Sequence, residues 1–547
     1  LRVAVEFGWL DRDQTDIFIP RDNEQGRAAA LETACEGLVM LKNEGGVLPL
    51  NKDQLRSVAV IGPDAYPAVP VAGGSARVEP FAAVSFLQGL SDRLGPVVPV
   101  YYHRGLPTLS ELADRTPFST VETGGSSGLN AEYFSNADLQ GSPIVTRVES
   151  HVNIGRPRED FGGGAPNAFP DHTASERFTG YYKPQSPGDY EVFVQSTGEG
   201  GGFYRLYIDD KLIFDDWKSA KQFLSNVKIP MEARPYKIVL EHHGRGSWLG
   251  NRLKLGIVAA KGVVASEAKA MAAKADAVVV AVGFEPEIES EGGDRMFQLP
   301  PGQAELIREI AAANKNTIVV VTSGGGVDMT GWLDRVPALI EAWYPGQEGG
   351  AALADVLTGA VNPSGRLPIT FDRRWEDNPS HDSYYPLDAA SNRVVYSEGV
   401  FVGYRGYDAS GKTPAFPFGY GLSYTSFSYS KLSIGGVGSD GNFTVSFDVT
   451  NTGNRQGSDV AQVYVGEPHP AVIRPEKELK GFEKVNLRPG ETKRVSITLG
   501  QRALSYYDVT SKDWRVDPGE FDVMIGRSAG EIVLMGKLTV AKASARR

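Results

Sequence analysis

The chain has one cysteine, Cys35, so no disulfide can form within it. Secreted proteins do not all carry disulfides, and the compartment stays open between secreted, periplasmic and cytoplasmic. No apolar run approaches the roughly 20 residues that a helix needs to span a bilayer. Positive charge is in deficit, with 56 Lys and Arg against 67 Asp and Glu and a net charge of −11. Nucleic acid and an anionic membrane are therefore not expected as partners, since both require a basic surface. Histidine is scarce, at seven residues. His242-His243 lacks further His or Cys at zinc-ligand spacing, and no metal or organic cofactor is expected. None of His103, His242 and His381 lies in a recognisable triad setting, which argues against serine or thiol hydrolysis. No signal peptide is visible, and Leu1 does not look like a natural start, so prior removal of a leader is compatible with the sequence.

What the chain does have is an acidic loop at the end of an apolar run. Ala277-Val278-Val279-Val280-Ala281-Val282 reads as a strand buried on both faces, as does Thr317-Ile318-Val319-Val320-Val321-Thr322. Between them a helix is predicted over 304–313, with Leu306, Ile307, Ile310 and Ala311 on one stripe. The three make a βαβ unit. The loop running from Gly283 to Arg295 leaves the first strand at its carboxyl end, where open α/β sheets place their chemistry. Glu285, Glu287, Glu289 and Glu291 crowd it, so at least one carboxyl is expected to be pushed up and to act as a proton donor. Composition alone favours a solvated acidic loop.

Ser290-Glu291-Gly292-Gly293-Asp294-Arg295, followed by Leu299-Pro300, resembles the acid/base loop of glycoside hydrolase family 3. That family writes it as a small residue, Glu, Gly, any residue, Asp, Arg, then Leu-Pro and Gln. Ser290 stands where Gly is frequent and Gly293 where Tyr is common; neither departure touches the carboxylate. The resemblance implies that Glu291 is the general acid/base, with Glu289 its nearest rival, and that Asp294 and Arg295 form a charge pair holding the loop. Other segments match in the family's order. Residues 36–44 with Leu48-Pro49-Leu50 look like the helix and turn entering its α/β sandwich, and Val58-Ala59-Val60-Ile61-Gly62-Pro63 like its first strand and turn. Val71-Ala72-Gly73-Gly74-Ser75-Ala76-Arg77-Val78 resembles the glycine-rich loop that approaches the sugar, with Ser75 as a hydroxyl ligand. Trp343-Tyr344-Pro345-Gly346, Asn362-Pro363-Ser364-Gly365-Arg366, Gly403-Tyr404-Arg405 and Phe418-Gly419-Tyr420-Gly421 complete the set.

At 547 residues the chain divides into several domains. The expected architecture is an α/β sandwich over 29–127 and 260–412, following a barrel exit segment and linker over 1–28. A β-sandwich is inserted at 128–259, where short alternating strands and glycine-rich turns replace the α/β rhythm. After a linker at 413–426, residues 427–547 resemble a fibronectin type III-like β-sandwich with a structural role. Leu129-Asn130-Ala131-Glu132-Tyr133-Phe134 and the strands after Gly188 and Arg205 resemble a protective-antigen-type module, whose loops reach over the active-site mouth in several family members. The turn Gly198-Glu199-Gly200-Gly201-Gly202 with Phe203 and Trp248 is a candidate rim for the leaving group, because aromatic faces suit sugar rings. Core packing explains Phe203 and Trp248 equally well. Asp209-Asp210 and Asp215-Asp216 lack calcium-loop spacing and read as turn carboxylates.

In this family the nucleophile is an aspartate on a (β/α)₈ barrel that precedes the α/β sandwich. No eight-fold βα pattern and no Ser-Asp-Trp nucleophile motif is found here; Lys512-Asp513-Trp514 falls in the last domain. The resemblance thus implies half of a retaining β-glucosidase site. The barrel would lie on another polypeptide or a missing segment, and the substrate would be a short oligosaccharide or an aglycone glucoside. β-Xylosidase or another β-glycosidase of the family is an alternative. A folded but inactive fragment is another, and a carbohydrate-binding or adhesive protein a third, from a different class. A homo-oligomer is compatible with all of them.

Overall fold

The computed structural model describes all residues except 14, 19, 21, 156–168, 171, 198–202, 218–222, 245–251, 292, 386–392 and 542–547. Trp248, the turn at 198–202 and the basic tail at 542–547 therefore lie outside the described residues.

The runs rich in valine form the centre of a six-stranded sheet. Its order is Val39–Asn43, Ala338–Glu341, Thr317–Thr322, Ala277–Gly283, Val58–Ile61 and Val100–His103. The last five strands are parallel. Ala277–Gly283 and Thr317–Thr322 are buried at every position because helices cover both faces, which is why they read as unbroken apolar runs. On one face Leu306, Ile307 and Ile310 of the helix Gln303–Ala313 pack with Val278, Val280 and Val319. On the other, Leu90 of Phe86–Leu94 and Leu353 and Val356 of Gly349–Thr358 pack with Val58, Val279 and Ile340. Cys35, buried on the helix Glu24–Gly37, joins that second core.

Residues 38–44 depart from expectation. They form the edge strand Val39–Asn43, antiparallel to Ala338–Glu341, rather than continuing a helix. The helix ends at Gly37, and Leu38 turns to extended backbone. From there Val39 and Leu41 point into one core and Leu38 and Met40 into the other, a period of two that only a strand provides.

Between the helices Leu109–Asp114 and Ser266–Lys274 the chain builds two antiparallel sheets, of seven and four strands. A shared core holds Tyr133, Phe178, Leu206 and Leu240 of the first with Val192, Val194, Leu253 and Leu255 of the second. The larger sheet recruits Phe118–Ser119, ahead of Gly128. Asp209 and Asp210 take positive φ in the tight hairpin between Phe203–Ile208 and Lys211–Asp215, where their carboxylates meet Arg234 and Lys237. The last domain has a three-stranded and a four-stranded antiparallel sheet, with Val445, Phe447, Val463, Phe521 and Val523 among the core residues. Among the described residues no helix is long and apolar enough to cross a membrane.

Candidate active site

The acidic loop leaves Ala277–Gly283 at the carboxyl edge of the sheet, and its two ends are held differently. At the near end Phe284 is fully buried beneath the guanidinium of Arg295, 4.6 Å from the ring centroid. Glu289 accepts from Arg295 Nε at 2.8 Å, from the Gly324 amide at 2.9 Å and from the Tyr344 hydroxyl at 2.7 Å. Arg295 also donates to the carbonyls of Met296 and Gly326. The expected Asp294–Arg295 charge pair is thus corrected: Arg295 turns back to Glu289, while Asp294 accepts from the hydroxyls of Tyr384 at 2.7 Å and Tyr385 at 2.8 Å.

At the far end Glu291 and Ser75, 216 positions apart, meet directly, the Ser75 amide donating to Glu291 Oε2 at 2.7 Å. The two glycines before Ser75 make this possible. A Cβ on Gly73 would lie 2.3 Å from Pro286 O, and one on Gly74, at φ +89°, 2.4 Å from Glu291 Cβ. The close approach these glycines permit is between two loops of the protein. Glu291 itself is exposed, and hydrogen bonds from the Ser75 side chain and amide hold its carboxyl below the usual range.

Within the loop Glu285 is pushed up, through desolvation and the neighbouring Glu287. Beneath it lies Asp64, which is 1% exposed, with the Thr322 hydroxyl as its polar neighbour. Burial first, then the charge of Glu285, pushes it up to about 8. Sequence reasoning missed Asp64 because it lies in an unremarkable turn after Val58–Ile61. Tyr344 stood in a segment matched by resemblance, but nothing in that segment linked it to Glu289.

Phe203 stacks on His243 with ring centroids 4.7 Å apart, and Trp217 meets the same imidazole edge-on. Phe223, another residue the sequence did not mark, reaches the acidic loop. It is 3% exposed, and a Cβ on Gly293 would lie 2.7 Å from its Cε2. Arg252 reaches the same loop through Glu287 at 2.7 Å. Glu191 accepts from the Gly302 amide at 2.8 Å, at the start of the helix Gln303–Ala313.

A cleft of about 920 Å³ opens on the Ser290 and Asp294 side of the loop, with Trp375, Tyr384 and Tyr385 in its walls. Glu291 is not among its lining residues. Elsewhere His242 hydrogen-bonds to Ser196 Oγ at 2.9 Å and to Glu176, the connectivity of a serine-hydrolase relay, which the sequence did not suggest. All three are at most 3% exposed, so no substrate reaches Ser196, and the trio works as a buried polar network. Among the described residues no group of His, Cys, Asp or Glu is arranged to hold a metal ion.

The glycosyl hydrolase family 3 C-terminal domain matches residues 38–404 and the fibronectin type III-like domain matches 459–529. The chain belongs to glycosyl hydrolase family 3. Among its relatives, a beta-glucosidase of Rhizobium radiobacter is 36% identical over 533 residues, covering 93% of this chain and 62% of the relative. Beta-glucosidase B of Emericella nidulans is 36% identical over 542 residues, covering 92% and 61%. The solved beta-glucosidase of Kluyveromyces marxianus in complex with glucose has a TM-score of 0.65 at 32% identity, covering 95% of this chain and 63% of that one. DesR, a beta-glucosidase from Streptomyces venezuelae in complex with D-glucose, has a TM-score of 0.71 at 29% identity, covering 98% and 63%. The chain thus spans less than two thirds of the length of these proteins.

Proposed function

We propose that the chain supplies the acid/base half of a retaining β-glucosidase that releases terminal β-D-glucose from short oligosaccharides or aglycone glucosides. The nucleophile, an aspartate, lies on a barrel outside this sequence. Glu291 protonates the departing glycosidic oxygen as the aspartate attacks the anomeric carbon, forming a covalent glycosyl-enzyme. It then takes a proton from the water that releases the sugar, so configuration is retained. The reading is carried by the contrast between the two candidate carboxylates. Glu289 has its acceptors occupied by Arg295, Gly324 and Tyr344, whereas Glu291 is exposed and, among the described residues, accepts from Ser75. Beta-glucosidases among the relatives support the substrate class.

A general acid must carry a proton at working pH, and Glu291 rests on the ionised side. Seating the barrel and a sugar against the loop removes water from Glu291 and redirects Ser75 to the ligand; both raise its proton affinity. The two antiparallel sheets act as an inserted protective-antigen-type β-sandwich within an α/β sandwich, with Phe203 at the rim of the entrance. The last domain is structural. The test is Glu291→Gln assayed with the barrel present on an unactivated β-glucoside. Turnover should fall about 10²–10⁴-fold with the fold intact, and unimpaired hydrolysis would overturn the assignment.

A further inference from the structure

A second cavity, of about 290 Å³, shares no lining residue with the Asp294 cleft. It holds on the order of ten waters at about 30 Å³ each. One wall is the strand pair Gly188–Thr197 and Arg252–Ala259, which contributes Gln195, Arg252 and Lys254. The other is Arg104, just after Val100–His103, with Glu285 and Glu287 on the loop between them.

The charges in this cavity do not cancel. Arg252 pairs with Glu287 at 2.7 Å. Among the remaining lining residues Lys254 and Arg104 stand against Glu285, which lies 3.8 Å from Arg104, while Asp114 and Glu111 act on the two cations from outside the lining. Lys254 is 9% exposed and donates to Gln195 Oε1 at 2.8 Å. Among the described residues no carboxylate lies within ion-pair distance of its ammonium, and two of its three protons remain to donate. Gln195, at 2% exposed, accepts from Lys254 through Oε1 and keeps its amide N–H groups as donors. Burying an ammonium against a neutral partner costs several kcal/mol, which a bound anion offsets. The lining thus offers donors from two walls: an ammonium, a guanidinium fork and an amide. That set suits an oxyanion with several acceptor oxygens.

We propose that this cavity binds a phosphate group between Lys254 and Arg104. The site is independent of the glycosidase reading, since neither residue belongs to the proposed chemistry. Its occupant is either free phosphate or the phosphate of a phosphorylated sugar. Binding would draw Arg104 from Glu285 and tie the Lys254 strand to the root of the acidic loop.

The experiment is calorimetric titration of the full 547-residue chain with inorganic phosphate at constant ionic strength, with chloride as the control anion. A second arm uses glucose 6-phosphate. One saturable site is expected, weakened at least tenfold, about 1.4 kcal/mol, in both Lys254→Met and Arg104→Met. Tighter binding of glucose 6-phosphate identifies a phosphorylated sugar as the occupant; equal binding identifies free phosphate. If Lys254→Met fails to fold, as judged by circular dichroism, the partly exposed Arg104→Met still decides. Absence of saturable heat with a Kd below about 10 mM overturns the proposal, as does binding that survives both substitutions.

Discussion

The two ends of the acidic loop show how one segment serves two purposes. At the near end Phe284 is buried, and half-buried Glu289 and its partner Arg295 brace the next loop, Glu289 accepting from the Gly324 amide and Arg295 donating to the Gly326 carbonyl. The far end, at Glu291 and Gly293, is fixed by close approach: Gly74 against Glu291, and Phe223 against Gly293. Ion pairing secures the end that carries no proposed chemistry. Steric fit positions the exposed carboxylate while leaving it accessible.

The comparison breaks most readily at its anchored end. Arg295→Met removes the partner of a mostly buried Glu289, with side-chain exposures of 13% and 18%, and should cost about 3 kcal/mol in denaturant unfolding. Glu291→Gln should leave the unfolding midpoint unchanged. Equal losses for the two would erase the distinction.

The next effect is pH-dependent. Asp64, held at about 8 in the fold, keeps a proton that the unfolded chain releases near its ordinary value of about 4. The folded state therefore binds more protons between these values, and stability falls as pH rises from about 4 to about 8, by at most about 1.4 kcal/mol per unit. Asp64→Asn should flatten this limb in urea titrations at several pH values; an unchanged slope would remove Asp64 as its source.

The smallest effect sharpens the far end. Gly293→Ala places a methyl against Phe223 and should cost about 1–2 kcal/mol. In a Phe223→Leu background the cost should shrink by at least about 0.5 kcal/mol. Additivity in this cycle would mean that the ring does not seat the loop.

Much of this arrangement was legible in the residues. The central strands were readable because both faces are buried, and the helix stripe at Leu306, Ile307 and Ile310 because the other face is not. Val39–Asn43 was not, since a short apolar run next to a helix has no periodicity that distinguishes strand from helix. Ser75 and Glu291 were each identifiable by resemblance, yet their contact was not, and the same holds for Phe223 with Gly293. Such contacts depend on how distant loops converge at a sheet edge, which local patterns do not encode. Arg295 was paired with the wrong carboxylate because adjacency in sequence does not place Asp294 on its side of the loop.

The most direct test of Glu291 as acid/base is nucleophilic rescue. With the barrel present and an aryl glucoside whose leaving group needs no protonation, Glu291→Ala should form the glycosyl-enzyme and stall. Azide should then restore turnover and yield the β-glucosyl azide, because a small anion enters the space the carboxylate left and needs no general base. Azide rescue of Glu289→Ala with none for Glu291→Ala would contradict the account and move the role two residues back along the loop.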